Sequence, residues 1–308
     1  MMQGCAVEFK KSSLATSLCY PLSPVAMTVL EGIQKSTEFL AKKEVESPRL
    51  QAELLLAHVL KLPRMKLYLN FERALTEPET NTFRELVKRR AQREPLQHIT
   101  GSTSFCGLEI AVNRNVLVPR PETEMLAELG WEFLNQLAAG SPQVLDFGTG
   151  SGCIAIVLAA KSPKAKVIAL DVSPEALETA RQNAARNNVA EKVEFLQGDG
   201  FAALPNGIQF DLIISNPPYI PTAEIATLQS EVRDYDPRGA LDGGIDGLDF
   251  YRRLAIEARE FLKPEGKIML EFGDGQGDSI RKIFEAQKWI VEAIREDYTQ
   301  RQRILIAK

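Results

Sequence analysis

The sequence predicts an α/β fold: a mostly parallel sheet covered by helices, with a helical module ahead of it. Three observations predict it. From Gln143 onward, short apolar runs alternate with helical stretches, the pattern of a parallel sheet covered on both faces. The first of those runs ends in a glycine-dense turn that opens a helix. From about Thr28 to Arg93, by contrast, apolar residues recur at helical spacing.

Residues 1–26 hold Lys10 and Lys11 but no continuous apolar core, so they read as a poorly ordered extension and not a secretory signal. Met27 is the expected start of the fold. Residues 27–96 form the expected helical module. Ser47-Pro48 is a helix start, with Ser as N-cap and Pro in the first turn. Leu50, Leu54 and Ala57 then share one spacing, and Leu55 and Val59 another, which places His58 among packed core residues. Glu79 to Arg93 reads as a second helix ending in Lys88, Arg89, Arg90 and Arg93. That cluster suits either a solvated helix end or a partner contact. Residues 28–105 carry 13 Lys/Arg against 10 Glu, so the acidic excess of the chain lies after them. Residues 97–118 read as a β-hairpin linker, with Leu108, Ile110 and Val112 on one arm, Val116 and Val118 on the other, and Asn113-Arg114-Asn115 as the turn.

Residues 119–308 form the second expected domain. Its strands are Val144–Phe147, Val167–Leu170, Val193–Leu196, Leu212–Ser215, Ile268–Glu271, Ile290–Ala293 and Arg303–Ala307. Pro174–Arg186 and Leu248–Leu262 are helices between them. In such sheets ligands sit at the carboxyl ends of the strands, at the topological switch point.

Composition narrows the function. The net charge of −4 over 308 residues gives no general nucleic-acid footprint. No run approaches the roughly 18 apolar residues of a membrane span. Cys5, Cys19, Cys106 and Cys153 are scattered, which fits free thiols in a reducing cytoplasm. With only His58 and His98 beside them, no metal centre is expected.

The chemistry sits at three strand ends. Gly148, Thr149, Gly150, Ser151 and Gly152 follow Asp146-Phe147; the glycines let a ligand approach the backbone. A dinucleotide loop wants G-x-G-x-x-G, but Cys153 stands at its third glycine. The spacing suits S-adenosyl-L-methionine instead. Asp171, about 20 residues on, ends the next strand and can accept from both ribose hydroxyls. Asp199 ends the third and can take the adenine amino group. Phe201 either packs on that ring or is an ordinary core aromatic.

Asn216-Pro217-Pro218-Tyr219 ends the fourth strand. Two prolines cannot continue a sheet ladder, so they fix a rigid turn beside the cofactor loop. An amide or aniline-like nitrogen is a poor nucleophile because its lone pair is delocalised. The Asn216 side-chain oxygen and the Pro217 carbonyl can accept its two N–H bonds, and Tyr219 can stack on the planar group. Positioning and charge stabilisation then supply most of the catalysis.

These segments resemble a known family. The residues around Val116–Glu124, Glu94–Gly101, Asp236-Pro237, Ala240-Leu241 and Gly243–Leu248 are similar to those of the protein-(glutamine-N5) methyltransferases of peptide chain release factors, the HemK or PrmC family. The similarity runs from about Thr28 to the C-terminus. It implies a small all-α domain, a hairpin, and a Rossmann-like seven-stranded class I methyltransferase domain. It implies S-adenosyl-L-methionine as methyl donor, S-adenosyl-L-homocysteine as product, and the glutamine of the Gly-Gly-Gln loop of bacterial class 1 release factors as substrate. Gly148 to Gly152, Asp171 and Asn216 would contact the cofactor, and Asn216 to Tyr219 the glutamine amide. Gly200 departs from the pattern, since some members carry an aromatic residue there.

The alternative is a DNA or RNA amino-group methyltransferase, because Asn-Pro-Pro-Tyr also suits adenine N6. Such enzymes need basic and aromatic recognition surface. The mild charge and only two tryptophans, Trp131 and Trp289, weigh against it.

Overall fold

A computed structural model describes residues 27–137 and 140–308. The expected extension over residues 1–26, with Cys5 and Cys19, lies outside the described residues.

Five helices come first: α1 (Val29–Ala41), α2 (Pro48–Leu60), α3 (Arg64–Leu67), α4 (Glu77–Ala91) and α5 (Leu96–Thr100). Thr28 and Thr76 start α1 and α4 with full capping boxes to Glu31 and Glu79, which satisfy donors the first turn leaves free. Ser47 behaves differently from expectation. It sits in the left-handed region at φ 47° and makes no side-chain cap. The buried side of α2 is Ala52, Leu55, Leu56 and Ala57, whereas Leu50 is exposed. His58 is also exposed, not packed in the core. The helices enclose their own apolar cluster, with Ile33, Leu40, Phe83 and Ile99 among its members.

The hairpin exists but is displaced. Its strands are β1 (Ser102–Phe105) and β2 (Leu108–Ala111), paired antiparallel. The turn is Cys106-Gly107, both at positive φ, as a two-residue hairpin turn requires. Asn113-Arg114-Asn115 is not a hairpin turn. Asn113 Oδ1 accepts from Asn115 N and its Nδ2 donates to Thr179 Oγ1, so this segment is pinned to a helix of the sheet domain. Val116 and Val118 are buried but belong to no strand.

The main sheet follows α6 (Pro121–Gln136). In chain order come β3 (Gln143–Phe147), α7 (Cys153–Lys161), β4 (Lys166–Asp171), α8 (Pro174–Arg186), β5 (Val193–Gln197), β6 (Phe210–Ser215), α9 (Ser230–Arg233), α10 (Asp249–Glu257), β7 (Leu262–Glu271), α11 (Gly277–Ala286), β8 (Val291–Glu296) and β9 (Gln302–Ala307). The seven strands lie in the order β5-β4-β3-β6-β7-β9-β8, with β9 antiparallel to both neighbours. The expected Leu248–Leu262 helix is shorter, α10 passing into a 3-10 turn over Ala258–Phe261. Alternate strand residues feed two cores. Val144, Val167, Leu212 and Ile214 face one, and Leu145, Ile168, Leu170 and Ile213 the other. That two-sided burial explains why the strands read as continuous apolar runs. The order reverses between β3 and β6, the switch point at which such sheets bind ligands.

Candidate active site

The cavity at this switch point is built from the carboxyl ends of β3, β4, β5 and β6. Gly148–Ser151, Asp171, Asp199 and Asn216–Pro218 all line it. Gly152 lies just behind as the left-handed residue before α7. A Cβ there would approach Ala180 Cβ to 2.9 Å, so the turn and α8 pack only with glycine.

The loop is held from below by a residue the sequence reasoning did not assign. Asp146 is fully buried, and its Oδ2 accepts from Thr149 Oγ1 at 2.6 Å and Ala155 N at 3.1 Å. Burial pushes its carboxyl up to about 7. Asp171 accepts from Gly150 N at 2.8 Å and Ser173 N at 2.9 Å, which ties the glycine loop to the next strand.

Asp199 and Gly200 form the far wall. Arg253 of α10 donates Nη1 to Asp199 Oδ1 at 2.6 Å and Nη2 to the Asp199 carbonyl at 2.9 Å. A Cβ on Gly200 would lie 2.1 Å from Arg253 Nη2. The space beside position 200 is thus taken by an arginine from another element. Phe201 does not face the cavity; it stacks on Phe261 and packs on Phe147, with ring centroids at 4.9 and 5.1 Å. It is the ordinary core aromatic. Phe250 and Arg253 line the cavity instead.

Asn216 leaves the end of β6, and its Nδ2 donates to Thr123 Oγ1 of α6 at 3.1 Å. Behind them Glu271, at the end of β7, is almost wholly buried. Burial pushes its carboxyl up to about 7, although the neighbouring polar groups of Thr123 and Asn216 favour the ionised form. Tyr219 does not line the cavity. It packs against the second core, and its carbonyl accepts from Gln276 Nε2 at 2.9 Å. Burial pushes its phenol up to about 12. The turn is clamped by the glycine segment after it, since a Cβ on Gly247 would lie 2.3 Å from the Tyr219 carbonyl.

Comparisons with known proteins agree with this architecture. The PrmC N-terminal domain profile matches residues 31–101, and the methyltransferase small domain profile matches 130–231. The chain is 46% identical to the release factor glutamine methyltransferase of Geobacter sulfurreducens, covering 85% of this chain and 89% of that one. It is 42% identical to the Chlorobaculum tepidum protein of the same name, over 90% and 95% of the two chains. The chain belongs to the release factor glutamine methyltransferase family. Among solved structures, the hMettl16 catalytic domain shares the fold at a TM-score of 0.50, with 15% identity over 76% of this chain and 82% of that one.

Two further contacts of this family member were not foreseen. Arg120 donates to the buried Asp236 at 2.7 Å. Arg90, expected in a solvated or partner-binding cluster, is buried and donates to Glu231 Oε1 at 2.8 Å. No sequence signal pairs residues so far apart in the chain. Glu271 did leave a trace, as an acidic residue closing an apolar strand beside the switch point.

Proposed function

We propose that this protein transfers a methyl group from S-adenosyl-L-methionine to the side-chain amide nitrogen of the glutamine in the Gly-Gly-Gln motif of bacterial class 1 peptide chain release factors. The observation that carries the reading is Asn216-Pro217-Pro218 on the cavity wall, next to the glycine loop, in a chain of this family. The cradle fits the cofactor. A Cβ on Gly148 or Gly150, both at positive φ, would project into open space, where the backbone can meet a ligand. Asp171 offers carboxylate lone pairs to hydroxyls beside that cradle, and Asp199 with Arg253 closes the base end.

The bound cofactor supplies an electrophilic methyl on a sulfonium. The residues of this chain supply the rest. Asn216 Oδ1 and the Pro217 carbonyl accept the two N–H bonds of the glutamine amide and turn its nitrogen toward the methyl. Tyr219 backs the turn from the core side. Held this way, the amide nitrogen would take the methyl as its bond to sulfur breaks, leaving a neutral thioether product, and would release one proton to solvent. Most of the rate comes from holding this geometry.

In the same reading, residues 27–96 are the substrate-docking domain, 97–118 the linker and 119–308 the methyltransferase domain. The substrate is protein and not nucleic acid, and the site of action is the cytoplasm, where translation terminates. Among the described residues, no helix is long and apolar enough to cross a membrane. The test is transfer from methyl-labelled cofactor to purified release factor, DNA and tRNA in parallel. Label is expected in the release factor alone, on the Gly-Gly-Gln glutamine. Label found only in nucleic acid would establish the alternative, adenine-type reading.

A further inference from the structure

Asn216 must present its oxygen, not its nitrogen, to a substrate NH2 group. The two ends of an amide have nearly the same shape, so packing alone does not choose between them. The choice has to come from hydrogen-bond partners. Asn216 Nδ2 donates to Thr123 Oγ1 at 3.1 Å. Thr123 is itself buried, in the first turn of α6. A hydroxyl has one proton and can both donate and accept. It receives from Asn216 only while its own proton points elsewhere. Leu270 is the register partner of Ser215, so Glu271 comes next to Asn216 at the strand ends, where Thr123 and Asn216 both favour its charged form; an ionised carboxylate accepts only. Its Oε2 is buried with no partner among the described residues. Such an atom is costly to keep, and a stability role does not explain it.

We propose that Glu271, acting through Thr123, is the positioning residue that fixes the Asn216 amide with its oxygen toward the substrate. This rests on the reading that Asn216 holds the substrate amide. With the carboxylate in place, the Thr123 proton is committed to Glu271 and both neighbours require the nitrogen end of Asn216. Without it, Thr123 is free to donate to Asn216 Oδ1, and the amide turns over. A reversed amide would offer a donor to a donor. The charged and titratable groups around Glu271 are Glu122 on α6, Arg303 on β9, Tyr219 on the Asn-Pro-Pro-Tyr turn and Tyr251 on α10. Arg303 alone favours ionisation among them, and it also pairs with Asp297 at 3.1 Å.

The experiment uses the full chain. Glu271→Met and Thr123→Val remove the acceptor and the hydroxyl at similar volume, so the core remains filled. Each is expected to lower kcat for release-factor methylation about 10- to 100-fold, the scale of a misplaced reactant. Binding of S-adenosyl-L-homocysteine, measured by calorimetry, should change less than threefold. Thr123→Ser should recover most of the rate. In the unaltered enzyme, kcat should rise with pH through about 7, where Glu271 ionises, and Glu271→Met should flatten that limb. A readout free of turnover is the Asn216 side-chain amide in nitrogen-15 NMR, assigned by its loss in Asn216→Asp. Its resonance should titrate with the same midpoint, and cease to titrate in Glu271→Met. Unchanged kcat in both variants, or an Asn216 amide indifferent to Glu271, would overturn the proposal. Failure of the substrate reading looks different: the release factor stays unlabelled while the Asn216 amide still titrates with Glu271.

Discussion

Asn216 sits where two walls of the cavity meet: one is its own turn, and the glycine loop is the next. In Asn216→Ala, the oxygen acceptor goes while Thr123 and the prolines stay. Transfer to release factor is expected to fall at least about 100-fold, with S-adenosyl-L-homocysteine affinity weakened only several-fold, as calorimetry would measure. Near-normal turnover would mean that the amide is held elsewhere. The place of Asn216 on the cavity wall was legible because its spacing from the glycine loop and two acidic strand ends is a linear pattern. Its support was not. Thr123 lies 93 positions away in the chain, and only the folded α6 brings its hydroxyl to the strand end. Gly200 shows the same limit. The sequence shows a glycine after Asp199, but not that Arg253, from a helix that follows β6, packs over it.

At the scale of elements, apolar runs between turn residues place all seven strands; the central β3, β4 and β6 are buried on both faces, and only the edge strand β8 lacks a buried residue. The hairpin slipped because Asn-Arg-Asn looks more like a turn than Cys-Gly does. The actual turn puts Cys106 at φ 48°, a conformation few side chains favour. Ser47 failed as a cap for a related reason, since its backbone left the extended region that lets a side chain reach back. The working cap is two helices on, at the start of α4. Thr76 accepts from Glu79 N at 3.4 Å, and Glu79 Oε2 accepts from Thr76 N at 2.9 Å. The reciprocal backbone bond also holds the Glu79 carboxyl below its ordinary range. Thr76→Ala is expected to cost about 1 kcal/mol, read as a lower denaturant midpoint at unchanged slope. A stability within about 0.3 kcal/mol of the unaltered chain would show that packing of α4, not its cap, sets the helix.

Across the whole molecule, the helical module is tied to the segment that follows the Asn-Pro-Pro-Tyr turn. Glu231 of α9 takes Arg90 Nη2 at 2.8 Å and Arg93 Nη2 at 2.7 Å. Burial works against its charge, yet these two donors hold its carboxyl below the ordinary range. Arg90 is the stronger anchor, because its other donors go to Gln51 Oε1 and the Glu94 carbonyl. It therefore has nowhere to turn when Glu231 is lost. Tyr235 adds a bond to the Gln92 carbonyl at 3.0 Å. Asp236 then reaches Arg120, just ahead of α6. One short segment therefore couples the module, the start of the sheet domain and the reactive turn. Arg90 is buried and Glu231 is half-buried, so removing Glu231 would leave a buried charge uncompensated, and the expected effect is a loosened module. Glu231→Ala is expected to raise the KM for release factor several-fold while cofactor affinity stays within twofold. The same variant should be cut faster by protease in the linker around residues 97–118. If KM and cleavage both stay at the level of the unaltered enzyme, the module is held by its apolar contacts alone and Glu231 carries no docking role.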